Sequence, residues 1–151
     1  EFKKGFEEEK QEEKKENCLS LKGCRVLLVE DNEINREIAL EMLREIGVDA
    51  ESAVNGEECI NMLLSHDRGY YSAVLMDIQM PVMDGYEAAR KIRSFSDPLK
   101  RNIPIIAMTA NAFEEDRQKA FRSGMNSHIS KPIDTKLLTA TLQSCLHERE
   151  R

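Results

Sequence analysis

Three carboxylates, one hydroxyl and one ammonium stand where expected strands of this sequence stop, and together they could hold a divalent cation and a phosphate. The run Ala73 to Met76 ends on Asp77, with Pro81 and Gly85 following within eight positions. A buried strand that delivers one carboxylate to the rim of a sheet has this form. Val26 to Val29 likewise runs into Glu30-Asp31, Ile105 to Met108 into Thr109, and His128 to Ser130 into Lys131-Pro132. Brought within about 5 Å, each pair of acids repels by about 3 kcal/mol at an effective dielectric near 20. Lys131 offsets one charge and a divalent cation two. Hard carboxylate oxygens with an open, watery coordination sphere suit Mg2+, or Mn2+ in its place. With a cation present, Asp77 is placed as a nucleophile that forms an aspartyl phosphate. The metal and Lys131 would neutralise the phosphoryl oxygens while Thr109 hydrogen-bonds one of them.

Each residue also has an ordinary reading. Glu30-Asp31 would complement a helix dipole, Asp77 would sit in a turn, Thr109 would close a strand, and Lys131 would precede a rigid turn. What favours the joint reading is the fold, which independently sends all of them to one rim.

From Gly23 the chain alternates strand and helix five times. The expected strands are Arg25 to Val29, about Asp49 to Ala53, Ala73 to Met76, Ile105 to Met108 and Ser127 to Ser130. Between them lie helical stripes: Ile34, Ile38, Met42 and Ile46; Cys59, Ile60, Leu63 and Leu64; Tyr86, Ala89 and Ile92; Phe113, Ala120 and Phe121; and Leu138, Leu142, Cys145 and Leu146. Gly47 and Gly124 mark helix ends, and Asp134 is placed to cap the last helix. Alternating elements with strongly apolar strands predict an α/β fold, a parallel sheet covered on both faces. Right-handed crossovers then bring all five strand ends to one edge, where ligands bind in doubly wound sheets.

The length of 151 residues suits one domain and a tail. Residues 1–17 hold twelve charged residues, with Phe2 and Phe6 as the apolar ones, too few to bury a core. The expected division is a charged linker over 1–21, a folded domain over 22–148 starting near Leu19 or Leu21, and a tail over 149–151. Cys18, Cys24, Cys59 and Cys145 form no C-x-x-C pair, so reduced thiols in a cytoplasmic protein are expected rather than zinc or disulfides. A net charge of −6, no basic stripe and no Trp argue against nucleic-acid binding. No run of residues is long and apolar enough for a membrane span.

The segments Leu-Val-Glu-Asp-Asn, Leu-Met-Asp-Ile-Gln-Met-Pro-Val-Met-Asp-Gly, Met-Thr-Ala-Asn-Ala and Ser-Lys-Pro together resemble the receiver domain of two-component response regulators, over about residues 22–147. The resemblance implies a five-stranded (βα)5 flavodoxin-like fold with strand order 2-1-3-4-5. It implies Asp77 as phosphoacceptor, and Asp31, Asp77 and the backbone carbonyl of Gln79 as Mg2+ ligands, with Glu30 acting through a metal-bound water. Thr109 and Lys131 would contact the phosphoryl group, helped by the N–H of Ala110, and the Lys131-Pro132 bond would be cis. Gln79 and Asn111 would flank the site and tune the access of hydrolytic water. One position departs from the family's pattern. The switch residue three before the lysine is usually Tyr or Phe, and here it is His128.

The wording Glu-Asp-Asn-Glu-Ile-Asn-Arg-Glu-Ile-Ala and Phe-Arg-Ser-Gly-Met-Asn-Ser-His-Ile-Ser-Lys-Pro-Ile resembles receivers attached to hybrid sensor histidine kinases; the alternative is a free-standing single-domain regulator. The implied partner is a helical bundle bearing a phosphohistidine, either a kinase dimerisation domain or a histidine-containing phosphotransfer domain. It would dock on Ile34, Asn35 and Ile38 beside Pro132 and Ile133. Such a domain catalyses only its own phosphorylation and dephosphorylation. An aspartate-based phosphatase would carry Asp-x-Asp after the first strand, and a flavin module would want a Ser/Thr/Gly phosphate loop there; Glu30-Asp31-Asn32-Glu33 is neither.

Overall fold

The computed structural model describes residues 21, 23–80, 82–110 and 113–149. The charged tail, Leu19, Cys18, Asn111 and the last two residues of the expected 149–151 tail lie outside these, so the expectations placed on them are not addressed.

Five parallel strands form one sheet: β1 (Arg25–Val29), β2 (Asp49–Ala53), β3 (Ala73–Asp77), β4 (Ile105–Thr109) and β5 (Ser127–Ser130). Their order is β2-β1-β3-β4-β5, with Val26 opposite Ala73 and Val74 opposite Ile105. The expected fold class and strand order therefore hold. Among the described residues six helices connect and cover the strands: α1 (Glu33–Glu45), α2 (Gly56–Ser65), α3 (Gly85–Arg93), α4 (Pro98–Arg101), α5 (Glu114–Arg122) and α6 (Thr135–Arg149). The short α4 adds to the expected alternation. Asp97 caps it by accepting from the Leu99 N–H at 3.0 Å, and Pro98 tolerates its first turn because no backbone donor is needed there.

Apart from Arg25, Asp77 and Thr109 at their ends, β1, β3 and β4 are apolar because both faces are covered. Leu27, Val29, Val74, Met76, Ile105 and Ala107 pack with α2, α3 and Ala120 of α5 on one face. Val26, Leu28, Leu75, Ile106, Met108 and Ile129 pack with α1 and α6 on the other, joined by the buried Leu21. The strands run one residue beyond their apolar stretches, so Asp77 and Thr109 are themselves the last strand residues.

Three helical stripes are corrected. In α1 the buried face is Ala39, Leu40 and Leu43, while Ile34 and Ile38 are 72% and 53% exposed. α1 is apolar on two sides, and spacing alone picks the wrong one. In the α5 region Ala120 is buried, but Phe113 and Phe121 face solvent, as does Leu64 of α2. The Tyr86, Ala89, Ile92 stripe and the Leu138, Leu142, Cys145 stripe do face the core. Gly47 and Gly124 end their helices at φ values of 86° and 100°, and Asp134 accepts from the Lys136 N–H at 2.9 Å. Cys24, Cys59 and Cys145 form no disulfide, and burial pushes the Cys59 thiol up to about 12.

Candidate functional site

The C-terminal ends of β1, β3, β4 and β5 bring the expected groups together. Asp77 is 4% exposed and Glu30 2% exposed, whereas the neighbouring Asp31 faces solvent. One oxygen from each of Glu30, Asp31 and Asp77 lies within 4.8 Å of the others. Lys131 reaches in from the end of β5, with Nζ 3.1 Å from Glu30 Oε2 and 3.3 Å from Asp77 Oδ2. The Gln79 N–H donates to Asp77 Oδ1 at 3.2 Å, and the Asn32 N–H to Glu30 Oε1 at 3.2 Å. The Lys131 N–H donates to the Thr109 carbonyl at 2.8 Å, tying the last two strand ends together. The Lys131-Pro132 bond is cis, as expected.

Three acids face one ammonium, and the titration behaviour reflects this. Burial and the Asp77 charge raise the Glu30 carboxyl above its usual range, against the pull of Lys131 and the Asn32 amide. Burial alone would depress the Lys131 ammonium, but the Glu30 hydrogen bond and the two carboxylate charges outweigh it and hold it above its ordinary value. Such a crowded set of hard oxygens, one of them open to water, fits a divalent cation that keeps part of its hydration shell.

Thr109 is 8% exposed at the end of β4 and lines a cleft of about 430 Å³ with Ile78, Gln79, Met80, Asp84, Tyr86 and Asp116. His128 pairs with Ala107 across β4 and β5. Its half-buried ring has its pKa lowered by burial and by the Arg117 cation of α5, with Glu114 opposing. Asn35, Ile38, Ala39, Met42, Met108, Pro132 and Ile133 line a second crevice of about 140 Å³ against Glu30 and Lys131. Ile34 stands exposed on the same helix outside it. Of the five residues expected to dock a partner, Asn35, Ile38, Pro132 and Ile133 thus line the crevice beside Lys131, and Ile34 does not.

Two contributors had not been picked out for the site. Gly85 opens α3 against the end of β3, where a Cβ would come within 2.6 Å of the Asp77 carbonyl and 2.9 Å of Ile78 Cα. The Asp-Gly step after the apolar strand was the available signal. Arg36 of α1 donates from Nη1 to the Glu30 carbonyl at 3.2 Å. A cation in the first turn of a helix was its signal.

With this geometry in place, the comparisons agree on the class. The family model of the response regulator receiver domain matches residues 26–143, and the chain belongs to that family. It is a receiver domain of two-component signalling, homologous to those of hybrid histidine kinases. Hybrid signal transduction histidine kinase K of Dictyostelium discoideum is 36% identical over 132 residues, covering 84% of this chain and 11% of that protein. Histidine kinase 5 of Arabidopsis thaliana is 37% identical over 148 residues, covering 82% of this chain and 16% of that protein. The chain therefore spans only a small part of the relatives it matches. Among solved structures, the receiver domain of a sensor histidine kinase from Pseudomonas aeruginosa PAO1, with magnesium coordinated in its active site cleft, is 38% identical with a TM-score of 0.73. That match covers 83% of this chain and 98% of the other. The receiver domain of Saccharomyces cerevisiae Ssk1, solved with the histidine phosphotransfer protein Ypd1, is 31% identical with a TM-score of 0.73. It covers 85% of this chain and 92% of that one. Among the described residues, no helix is long and apolar enough to cross a membrane.

Proposed function

We propose that this domain takes a phosphoryl group from a phosphohistidine onto Asp77 with the help of Mg2+, and that the resulting aspartyl phosphate shifts its surface between two states. The single observation that carries this reading is the buried Asp77 carboxylate, 3.3 Å from Lys131 and within 4.8 Å of Glu30 and Asp31. Asp31, Asp77 and the Gln79 carbonyl are the proposed metal ligands, with Glu30 acting through water. When bound, the cation supplies two positive charges that offset the acids and the incoming phosphoryl oxygens.

In the transfer, an Asp77 oxygen attacks phosphorus as the donor's P–N bond breaks. The P–O bond forms in line, and the imidazole leaves with its electron pair and is reprotonated by solvent. Lys131 holds charge opposite the phosphoryl oxygens, and Thr109 donates its hydroxyl to one of them. Reorientation of Thr109 and of His128 then biases the α5–β5 surface toward a different partner. Gln79 and Asn111 control the approach of hydrolytic water.

The donor docks on Ile34, Asn35, Ile38, Pro132 and Ile133, an apolar surface around the 140 Å³ crevice beside Lys131. The co-crystal of a similar receiver with a histidine phosphotransfer protein supports a partner of that class. The kinase relatives support the receiver of a hybrid sensor kinase. In this reading residues 22–148 are that receiver, residues 1–21 are its linker, and the domain lies in the cytoplasm. The domain modifies only itself and turns over no separate substrate.

The test is incubation with Mg2+ and a small phosphodonor, followed by intact-mass measurement. Wild type gains one phosphoryl group, and Asp77→Asn or EDTA abolishes the gain. An unmodified wild type, or free phosphate released from many esters with turnover, contradicts the reading.

A further inference from the structure

Arg36 breaks a local rule. It stands in the first turn of α1, where the exposed N–H groups of the helix start disfavour a cation. Glu33, Ile34, Asn35 and Glu37 around it are exposed, yet Arg36 is half-buried. Its guanidinium forms no ion pair among the described residues and instead donates to the Glu30 carbonyl at 3.2 Å.

The other polar atoms of Glu30 are also held. Its N–H donates to the Ala53 carbonyl at 3.1 Å, Oε1 accepts from the Asn32 N–H, and Oε2 accepts from Lys131. Asp31 follows directly and differs: among the described residues nothing donates to its exposed carboxylate. Where Asp31 points is therefore set by the backbone of the turn that leaves Glu30.

We propose that Arg36 is a positioning residue, which clamps the Glu30 carbonyl and so fixes the turn presenting Asp31 to a cation shared with Asp77. The proposal rests on the metal-assisted reading above. It has a built-in contrast of sign. As a bare positive charge, Arg36 would repel a cation, and its removal would tighten binding. As a clamp, its removal weakens binding, because groups that orient a ligand control affinity without touching the metal.

The experiment titrates the full chain with MgCl2 alone in a calorimeter, for wild type, Arg36→Met and Arg36→Lys. Arg36→Met binds on the order of tenfold more weakly, the usual scale for losing an orienting partner. Arg36→Lys, which can still donate to the carbonyl, recovers part of the loss. Without metal, the amides of Asp31 and Asn32 exchange hydrogen faster in Arg36→Met, while strand amides do not. Equal or tighter Mg2+ binding by Arg36→Met overturns the proposal. Should that variant fail to fold, Arg36→Gln is read the same way: weaker binding supports the clamp, and equal or tighter binding overturns it. A wild type that binds no Mg2+ sinks the metal-assisted reading and the clamp together. A wild type that binds, beside an Arg36→Met that binds equally well, sinks the clamp alone.

Discussion

The two edges of the sheet handle charge in opposite ways. At the C-terminal edge three acids crowd together, Lys131 pairs with two of them, Glu30 and Asp77, and Glu30 is shifted toward its neutral form. At the other edge the charges are satisfied. Arg93 at the end of α3 donates to the carbonyls of Gly124 at 2.8 Å, Arg101 at 2.6 Å and Ile103 at 2.7 Å, and to Asn126 Oδ1 at 2.8 Å. Asn126 Oδ1 also accepts from the Ile105 N–H, so one guanidinium joins α3 to the turns that enter β4 and β5. Glu51 of β2 accepts from the Tyr70 and Tyr71 hydroxyls at 2.6 and 2.9 Å, with Arg25 at 3.5 Å. Tyr70 lies between the Arg25 guanidinium and the stacked His66 ring. A satisfied polar network adds rigidity, whereas a crowded set of like charges stores a preference for a cation that offsets it. One edge holds the scaffold and the other is poised to bind.

The largest expected effect is at the satisfied edge. Arg93→Ala takes the guanidinium donor from three part-buried carbonyls and destabilises the domain by about 3 kcal/mol, as urea unfolding would show. Labelling of Asp77 in the folded fraction is retained, because the clamp lies away from the chemistry.

At the crowded edge the sign reverses. Asp77→Asn removes one of three crowded charges and stabilises the metal-free domain by about 1 kcal/mol, the balance of lost repulsion and a lost Lys131 contact. Saturating Mg2+ erases the advantage, because wild type gains from binding and the variant gains less. Equal stability of the two proteins without metal would show that the rim is not strained by its charges.

These two edges were unequally legible in the sequence. Asp77 and Thr109 each end an apolar stretch and Lys131 follows the last expected strand, so one topological rule placed all three at the rim. The Arg93 and Glu51 networks left no such trace. Arg93 meets Asn126 across 33 positions, and Glu51 meets Tyr70 across 19. Their partners are largely backbone carbonyls and phenols whose spacing carries no period. Helix faces were readable where one side is apolar, as with Tyr86, Ala89 and Ile92. They were misread in α1, where Ile34 and Ile38 leave the core to Ala39, Leu40 and Leu43. That misreading is informative, since the exposed isoleucines lie beside the proposed donor site.

A smaller effect sharpens the satisfied edge. Tyr71→Phe removes one hydroxyl from Glu51 and costs about 1 kcal/mol at neutral pH. Burial alone would raise the Glu51 carboxyl, but the two phenols and Arg25 hold it below the usual range. A depressed carboxylate contributes stability that is present above its ordinary pKa and lost as pH falls through the folded value. The acid limb of a pH–stability curve therefore flattens in Glu51→Gln.

The smallest effect belongs to His128. Burial and Arg117 lower its pKa, so the unfolded chain binds the proton more tightly. Its contribution is complete above the ordinary imidazole value of about 6.5 and is lost as pH falls below it. His128→Phe removes that part of the slope below about pH 6.5, measurable as a flatter dependence of the unfolding midpoint on pH.

The most direct measurement places the phosphoryl group on a residue. After labelling with a small phosphodonor and Mg2+, borohydride reduces an acyl phosphate to the alcohol, and peptide mass spectrometry locates the change. Conversion at position 77 alone is the predicted result. A modification on a histidine, or on Glu30 or Asp31 with Asp77 intact, would contradict the account.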